Sequence, residues 1–316
     1  MNELETRQLR YFVAVAEELH FGRAAERLGM AQPPLTRAIK ELERRLGVRL
    51  LERTTRQVGL TPAGESLLGD ARTALEAVGA AERRARHAGA AEPALRLALK
   101  ADIDGGLLPD ILDAYAREEA SLRVEFVLGG VGEQAQAVRD GRADVALLLS
   151  PFERRGLDSE PVLTEPFLIA LTADDPLAAR TSLRLADLAG WSLPDGSPAE
   201  QGPISQEHGI KGAPHRSRPP AGPASLGDTS RDASDLPQIF KLVELGRMVC
   251  FFPRSLTVRY QRPGIAYLPV EDLDPVTLAV AWPQQSRSAA VAAFVRVATS
   301  AAAATRQDPA ARPSPG

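Results

Sequence analysis

The most constraining feature of the sequence is an amphipathic segment at residues 33–46, which begins with a proline pair and is followed by a glycine. At the helical rotation of about 100° per residue, its apolar and basic side chains fall on opposite sides. The apolar side holds Leu35, Ile39, Leu42 and Leu46. The opposite side holds Pro33, Arg37, Lys40 and Arg44, with Thr36 flanking it. The pattern predicts a helix from Gln32 to Leu46 with one buried face and one cationic face.

The segments on either side of this helix indicate what the cationic face does, because a basic face alone is more often a solvated surface. Apolar residues at helical spacing predict two preceding helices, at about residues 6–19 and 22–28, with a glycine turn after the second. Residues 48–60 have apolar ends around an Arg-rich middle, which predicts a hairpin of two short strands. Helix, turn, basic helix and hairpin together indicate a winged helix-turn-helix, whose second helix enters the DNA major groove.

The charge distribution indicates the same partner. The chain of 316 residues carries a formal net charge of −3, which by itself does not suggest binding to a polyanion. Residues 19–60, however, contain nine basic and four acidic side chains and a net charge of +5, so the remainder carries −8. A basic head on an acidic body suggests that the head alone binds a polyanion such as double-stranded DNA.

A long helix is predicted directly after the hairpin. Thr61 and Pro62 form an N-cap and first-turn pair, and the helical pattern continues to about Gly89. Its apolar residues recur at alternating spacings of three and four, which is typical of a coiled-coil seam. The predicted seam residues are Leu68, Ala71, Leu75 and Val78.

The pattern changes after Pro93 to alternating strands and helices, which predicts a mostly parallel sheet with helices on both faces. Strands are expected at 95–99, 122–128, 145–149, 167–171, 248–252, 265–268 and 277–281. Helices are expected at 105–118, 133–140, 236–245 and 288–302. Residues 194–230 are rich in Pro, Gly and Ser and are either a long loop or a poorly ordered excursion.

The N-terminal segments resemble the LysR-type transcriptional regulators nearly continuously over residues 7–68. The matching motifs are Leu9-Arg-Tyr-Phe-Val-Ala-Val-Ala16, Phe21-Gly-Arg-Ala-Ala-Glu-Arg-Leu28, Ala31-Gln-Pro-Pro-Leu-Thr36, Ile39-Lys-Glu-Leu-Glu43, Leu46-Gly-Val-Arg-Leu-Leu-Glu-Arg-Thr54 and Leu60-Thr-Pro-Ala-Gly64. The remainder resembles the family in element order and in short pieces, namely Leu107-Leu-Pro109, Gly141-Arg-Ala-Asp-Val145, Pro166-Phe167 and the segment from Gly246 to Pro253.

The resemblance implies a winged helix-turn-helix, a linker helix and an α/β sensor of two subdomains, like a periplasmic binding protein with an effector in its cleft. It also implies a homodimer through the linker helix, often arranged as a tetramer, with RNA polymerase as a further partner. The expected ranges are 4–61 for the DNA-binding domain, 62–90 for the linker, 93–303 for the sensor and 304–316 for a disordered tail. Within the sensor, subdomain I covers 93–164 and 270–303, and subdomain II covers 165–269.

The resemblance places DNA contacts on the cationic helix and on the hairpin, or wing. The expected contact residues are Gln32, Pro33, Thr36 and Arg37 of the helix, and Arg53 and Arg56 of the wing. Lys40, farther along the helix, is expected to meet a phosphate, whereas Arg37 has the geometry to read a guanine.

Candidate effector residues follow the predicted strands of the sensor, because ligands of open α/β sheets bind beyond the carboxyl ends of the strands. These residues are Lys100, Asp102, Gly130 and Ser150. Members of the family often carry Ser or Thr after the first strand, so Lys100 and Asp102 depart from the pattern. Lys100 would pair with an anion, whereas Asp102 or Asp104 would select an amine or hydroxyl. The alternative is that Asp104 only caps the next helix and Asp102 is solvated.

Other functions find little support. No Gly-x-Ser-x-Gly elbow, dinucleotide fingerprint or metal-ligand spacing occurs, so no enzyme, metal site or cofactor is expected. Cys250, the single cysteine, lies in an apolar run and is interpreted as a buried hydrophobe. The absence of an apolar run long enough for a membrane span, and of a secretory signal, predicts a cytoplasmic, nucleoid-associated protein. The alternative function is a solute-binding protein without a DNA role.

Overall fold

The computed structural model describes residues 4–53, 58–130, 132–203 and 235–307, which form two compact units, Met1–Ala90 and Ala91–Gly316. The N-terminal unit consists of α1 (Thr6–Glu18), α2 (Phe21–Arg27), α3 (Gln32–Leu46), β1 (Leu51–Arg53), β2 (Val58–Leu60) and α4 (Pro62–Ala88). Strands β1 and β2 pair antiparallel as a hairpin, as predicted for the wing.

Local capping explains where these helices begin and end. The His20 imidazole caps α2, because its Nδ1 accepts the Arg23 backbone N–H at 3.2 Å. Gly47 ends α3 at a φ of 71°, a left-handed conformation that glycine adopts without strain. The Thr61 hydroxyl caps α4 by accepting the Gly64 N–H at 3.0 Å. A side chain on Gly64 would overlap the Leu50 carbonyl oxygen, so glycine allows α4 to approach the wing closely.

The core of the N-terminal unit lies between α1, α2 and the inward face of α3. Leu35, Ile39 and Leu42 are fully buried against Phe12 and Val15 of α1, as the helical periodicity predicts. Leu46 was predicted to be inward as well, but it is 36% exposed. The prediction for Leu46 is wrong because α3 ends at this residue, where the chain turns away towards the wing.

The part of the C-terminal unit that the structure describes contains two sheets. Its strands are β3 (Ala94–Leu99), β4 (Arg123–Leu128), β5 (Val145–Leu149), β6 (Leu157–Glu165), β7 (Phe167–Thr172), β8 (Cys250–Pro253), β9 (Ile265–Pro269) and β10 (Val276–Pro283). Its α-helices are α5 (Leu108–Tyr115), α6 (Glu133–Arg139), α7 (Leu236–Glu244), α8 (Arg254–Arg259) and α9 (Ala289–Gln307). Among the described residues of this unit, 3-10 helices cover Pro176–Ala179, Leu185–Leu188 and Ala199–Gln201.

The five-stranded sheet has the order β4-β3-β5-β10-β6, and the three-stranded sheet has the order β8-β7-β9. Helices α5 and α9 cover one face of the larger sheet, where Tyr115 and Phe294 meet edge to face at 5.4 Å, and α6 covers the other. In the smaller sheet, α7 and α8 cover one face and the 3-10 segments cover the other. Apolar side chains are therefore buried on both faces of each sheet.

The prediction of a mostly parallel sheet is wrong. Strand β3 pairs parallel with β4 and β5, but β10 is antiparallel to β5 and β6, and β7 is antiparallel to β8 and β9. A helical crossover enforces the parallel direction only where a helix connects two paired strands. Here β6 follows β5 and β7 follows β6 without an α-helix, so the direction of the later strands was not determined by the alternation.

Several predicted boundaries also need correction. Helix α5 begins at Leu108 rather than Gly105, because Gly105 and Gly106 have φ angles of 64° and 71° that are incompatible with a right-handed helix. Strand β6 and helix α8 were not predicted. Helix α9 continues to Gln307, so residues 304–307 are helical where a tail was expected. The remainder of that tail, and residues 204–230 of the Pro-rich segment, lie outside the described residues.

Candidate nucleic-acid interface and effector cleft

The outer face of α3 carries the residues predicted to contact DNA. Gln32, Pro33, Arg37 and Lys40 are exposed, and Thr36 is half-buried beside them. Within the part of the chain that the structure describes, neither Arg37 nor Lys40 makes an ion pair. Both cations, which are three residues apart on the same helix face, are therefore available to an external anion.

Arg44 lies on the same face but differs from these two cations. Its guanidinium binds the Glu41 carboxylate, with Nε donating to Oε2 at 2.8 Å. The hydrogen bond from Arg44 holds the pKa of Glu41 below its ordinary value, so the pair stays charged and is internally neutralised. The cationic surface of α3 is therefore concentrated on Arg37 and Lys40 rather than spread along the whole helix.

Arg23 and Arg27, two further cations of residues 19–60, pair with carboxylates of α1 although their own side chains are more than half exposed. Arg27 and Arg72 both bind Glu17 of α1 at 2.8 Å, and Arg23 binds Glu18 at 3.2 Å. The net charge of +5 was counted over residues 19–60, whereas Glu17 and Glu18 precede that range. The count therefore overestimates the positive charge that the DNA-binding unit presents to DNA. The sequence showed the cations but not their carboxylate partners on a neighbouring helix.

The wing is attached to α3 through Glu43, a residue that the sequence analysis did not single out. One carboxylate oxygen of Glu43 accepts the backbone N–H groups of Leu50 at 2.9 Å and Leu51 at 3.1 Å. This acceptor fixes the start of β1 relative to the cationic helix. Of the two predicted wing contacts, the Arg53 side chain and the whole of Arg56 lie outside the described residues.

The four predicted seam residues of α4 differ in their surroundings. Ala71 is 1% exposed within the core of its own unit, and Leu68 and Leu75 pack partly against the same core. Val78 is 41% exposed. Contacts with α1 therefore already occupy Ala71, and Val78 is the predicted seam residue that is most available to a second chain.

The predicted effector residues of the sensor follow three neighbouring strands of the five-stranded sheet. Lys100 and Asp102 come after β3, Gly130 after β4 and Ser150 after β5. Because β3, β4 and β5 are parallel, these positions share one edge of the sheet. The structure confirms the common edge, but the loop after β3 already has a partner within the chain.

That partner is Arg259, at the end of α8. Its guanidinium binds Asp102 through Nη1 at 3.3 Å and Asp104 through Nη2 at 3.2 Å. The Asp104 side chain is 8% exposed, whereas those of Asp102 and Arg259 are 31% and 38% exposed. This ion cluster joins a loop of the five-stranded sheet to a helix that packs on the three-stranded sheet.

This contact bears on the two hypotheses for Asp102 and Asp104, namely that they select an effector or that Asp104 only caps a helix and Asp102 is solvated. Asp104 does cap a turn, because its carboxylate accepts the Gly106 N–H at 2.9 Å, but it also binds Arg259. Asp102 has a φ of 67° and is not simply solvated. The Tyr260 phenol hydrogen-bonds its carboxylate, which raises the pKa of Tyr260 and keeps that hydroxyl protonated.

The other end of α8 is also attached to the five-stranded sheet. Glu165, at the end of β6, accepts the Ser255 backbone N–H and the Ser255 hydroxyl, the latter at 2.7 Å. Both attachments join residues that are 90 or more positions apart in sequence. No signal of local periodicity could have found them.

Cys250 lies at the start of β8 and is buried. Burial raises the pKa of its thiol to about 12, with the charge of Asp195 raising it further and that of Lys100 opposing the shift. A thiol with this pKa stays protonated at neutral pH and is a poor nucleophile.

Within the described ranges, no group of three His, Cys, Asp or Glu side chains is arranged to hold a metal ion. In the same ranges, no helix has the length and hydropathy needed to cross a bilayer.

Comparison with known proteins accounts for both units. Residues 6–65 match the family model described as bacterial regulatory helix-turn-helix protein, lysR family. Residues 88–303 match the LysR substrate binding domain. The crystal structure of CbnR, a LysR family transcriptional regulator, superposes with a TM-score of 0.54 over 95% of this chain and 99% of that one. At 24% identity, that likeness shows a shared fold.

Curated relatives extend over the whole chain. The Hca operon transcriptional activator HcaR of Escherichia coli is 30% identical over 93% of this chain and 97% of its own. BudR of Raoultella terrigena is 31% identical over 93% of this chain and 100% of its own. AlsR of Bacillus subtilis is 37% identical, but that alignment spans only 58% of this chain and 62% of AlsR. The chain therefore belongs to the LysR family of helix-turn-helix transcriptional regulators, a family of DNA-binding proteins rather than enzymes.

Proposed function

We propose that this protein recognises a specific DNA sequence through α3 and regulates transcription in response to a small molecule bound by its C-terminal unit. The observation that carries the proposal is the exposed pair Arg37 and Lys40, which lack ion-pair partners among the described residues. In this proposal residues 4–61 bind DNA, 62–90 form the dimerisation linker and 93–303 form the sensor. The protein acts in the cytoplasm at the nucleoid and contacts RNA polymerase.

Each predicted contact has a separate role in the proposal. Gln32, Pro33 and Thr36 lie on the first turns of α3, where reading side chains meet base edges. Arg37 has the fork geometry that binds O6 and N7 of guanine, and Lys40, Arg53 and Arg56 neutralise phosphates. The sensor would bind its effector at the shared strand edge, near Lys100, Asp102, Gly130 and Ser150.

The test compares two substitutions on α3 with a control elsewhere. Arg37→Ala should weaken binding to the cognate site by about 1–3 kcal/mol and relax the preference for one base pair. Lys40→Ala should weaken binding to all DNA sequences about equally. It should also reduce the slope of log affinity against log salt concentration by about one. Arg117→Ala removes an exposed cation from the C-terminal unit and should leave both quantities unchanged.

The measurement needs the operator, which footprinting of the protein on genomic DNA would supply. Binding isotherms at several salt concentrations on the footprinted site, and on single-base variants of it, then separate base readout from phosphate contact. An Arg37→Ala variant with wild-type affinity and base preference would contradict the assignment of α3 as the reading helix.

A further inference from the structure

The described part of the C-terminal unit contains a cavity of about 600 Å³ that is separate from the predicted effector residues. It lies between α8, the chain that follows α8, and strands β7 and β9 of the three-stranded sheet. None of Lys100, Asp102, Gly130 and Ser150 lines it. A volume of this size suits a small organic molecule.

The lining of the cavity is cationic. Its lining residues include Arg254 and Arg262 but no Asp or Glu. Arg262 is held in place, because Nη1 binds Glu244 at 3.2 Å and the guanidinium lies 4.8 Å from the centre of the Phe240 ring. Arg254 is exposed and makes no ion pair with any described residue. One positive charge at the cavity is therefore uncompensated.

The remaining lining provides hydrogen-bonding groups and an apolar wall. The Thr257 hydroxyl donates to the Arg254 carbonyl oxygen at 2.8 Å, and the Tyr267 hydroxyl donates to the Tyr260 carbonyl oxygen at 2.7 Å. Burial raises the pKa of Tyr267 to about 12, so its hydroxyl keeps its proton. The oxygens of both hydroxyls can still accept, and Gln261 can donate or accept. Leu168 and Ile265 provide apolar surface.

We propose that this cavity is a second ligand site, which binds a small carboxylate with an apolar body. The carboxylate binds Arg254, with Arg262 adding to the positive potential, and the apolar body lies against Leu168 and Ile265. Planar guanidinium groups bind carboxylates in bidentate geometry, whereas a neutral amide of the same shape would lose the charge-assisted part of the interaction.

Helix α8 links the cavity to the five-stranded half of the unit, because its side chains point in three directions. Arg254, Thr257 and Val258 face the cavity, and Leu256 faces the core beneath. Ser255 and Arg259, one turn apart, bind carboxylates of the five-stranded half. A ligand that shifts α8 would therefore change the contacts that join the two sheets. This regulatory consequence rests on the proposed function, whereas binding in the cavity does not.

The binding experiment uses the full chain without DNA, in isothermal titration with phenylacetate and hexanoate and with their neutral amides, phenylacetamide and hexanamide. We expect at least one carboxylate to bind and its amide to bind at least tenfold more weakly. Arg254→Gln should lower the affinity for the carboxylate at least tenfold. Val258→Trp, which fills the cavity from an exposed position, should abolish binding. Arg117→Gln, an exposed cation outside both sites, should leave the affinity unchanged, and Lys100→Gln tests whether the carboxylate binds in the predicted cleft instead.

The outcomes separate this site from the cleft and from the DNA-binding proposal. If Lys100→Gln lowers the affinity for the carboxylate and Arg254→Gln does not, the ligand binds in the predicted cleft and the proposal of a second site is wrong. If neither carboxylate binds, the proposal is overturned as well. The Arg37 experiment is done without any ligand, so its result does not depend on the titration. A carboxylate that binds but leaves the DNA affinity unchanged would overturn the coupling through α8 alone.

Discussion

Single charged side chains hold segments together that are distant in sequence. Glu43 accepts two N–H groups from the wing, and Arg259 joins α8 to Asp102 and Asp104 in the loop after β3. A carboxylate that is nearly buried loses much of its solvation, so a partner that supplies charge and hydrogen bonds is required. These residues set the geometry at the predicted sites without being candidates for contact with DNA.

Replacement of Arg259 by Ala should lower the free energy of unfolding of the C-terminal unit by about 1–2 kcal/mol. This estimate lies between the values for exposed and buried pairs, because Asp104 would be left largely buried without its cation. Both tryptophans, Trp191 and Trp282, lie in this unit, so urea unfolding followed by tryptophan fluorescence reports on it.

The matched control for Arg259 is Arg123→Ala. Arg123 pairs with Glu125, and both side chains are well exposed. Its replacement should change the free energy of unfolding by less than about 0.5 kcal/mol. Equal effects of the two substitutions would show that the cluster at Asp102 and Asp104 does not stabilise the unit.

At the scale of elements, Glu17 ties three helices of the DNA-binding unit together. Its carboxylate on α1 binds Arg27 of α2 and Arg72 of α4, which orients the scaffold on which α3 packs. Burial raises the pKa of Glu17, but the hydrogen bonds and charges of Arg72 and Arg27 outweigh that effect, so the net pKa is below its ordinary value of 4.5.

The pKa of Glu17 predicts a pH dependence. Because the pKa is lower in the folded protein, Glu17 stabilises the fold above pH 4.5, and this contribution is lost as the pH falls through the folded-state pKa. Glu17→Gln should therefore destabilise the unit at pH 7 by about 1–2 kcal/mol, and the difference from wild type should shrink below pH 4.5. Hydrogen exchange of the α1 amides, compared between the two proteins at each pH, measures it. A difference that stays constant down to pH 3 would contradict the assignment.

How well each helix or strand could be predicted depended on its length and on residues, such as proline and glycine, that mark its ends. The bounds of α3 are those predicted, because an apolar stripe of helical period is enclosed by prolines and by Gly47. Helix α8, by contrast, has only six residues, and α5 loses its first turn to two glycines in left-handed conformations. Short elements contain too few periods for a pattern to be recognised.

At the scale of the whole molecule, the proposed function requires two copies, since DNA-binding helices of this kind read half-sites in pairs. Helix α4 is the predicted interface, and its inward side is already occupied by the core of its own unit at Ala71. The exposed side includes Val78.

Val78→Glu should therefore convert a dimer into monomers without unfolding the chain, because it places a charge in an apolar seam but removes nothing from the core. Sedimentation velocity should give the monomer mass, with an unchanged melting temperature. Ser66→Glu adds the same charge to an exposed position about 120° around the helix and should leave the dimer intact. A dimeric Val78→Glu protein would show that the interface lies elsewhere.

The sequence by itself determined the three helices, the wing, the cationic face of α3 and the long linker, because these depend on side-chain periodicity and capping within a few residues. It did not determine which cations remain available, since Glu17, Glu18 and Glu41 neutralise three of them through contacts that only folding creates or orients. The tertiary structure also decided the strand directions, the attachment of α8 at both ends and the cavity beside it. These features join residues as far as 157 positions apart, where no local pattern in the sequence specifies the partner.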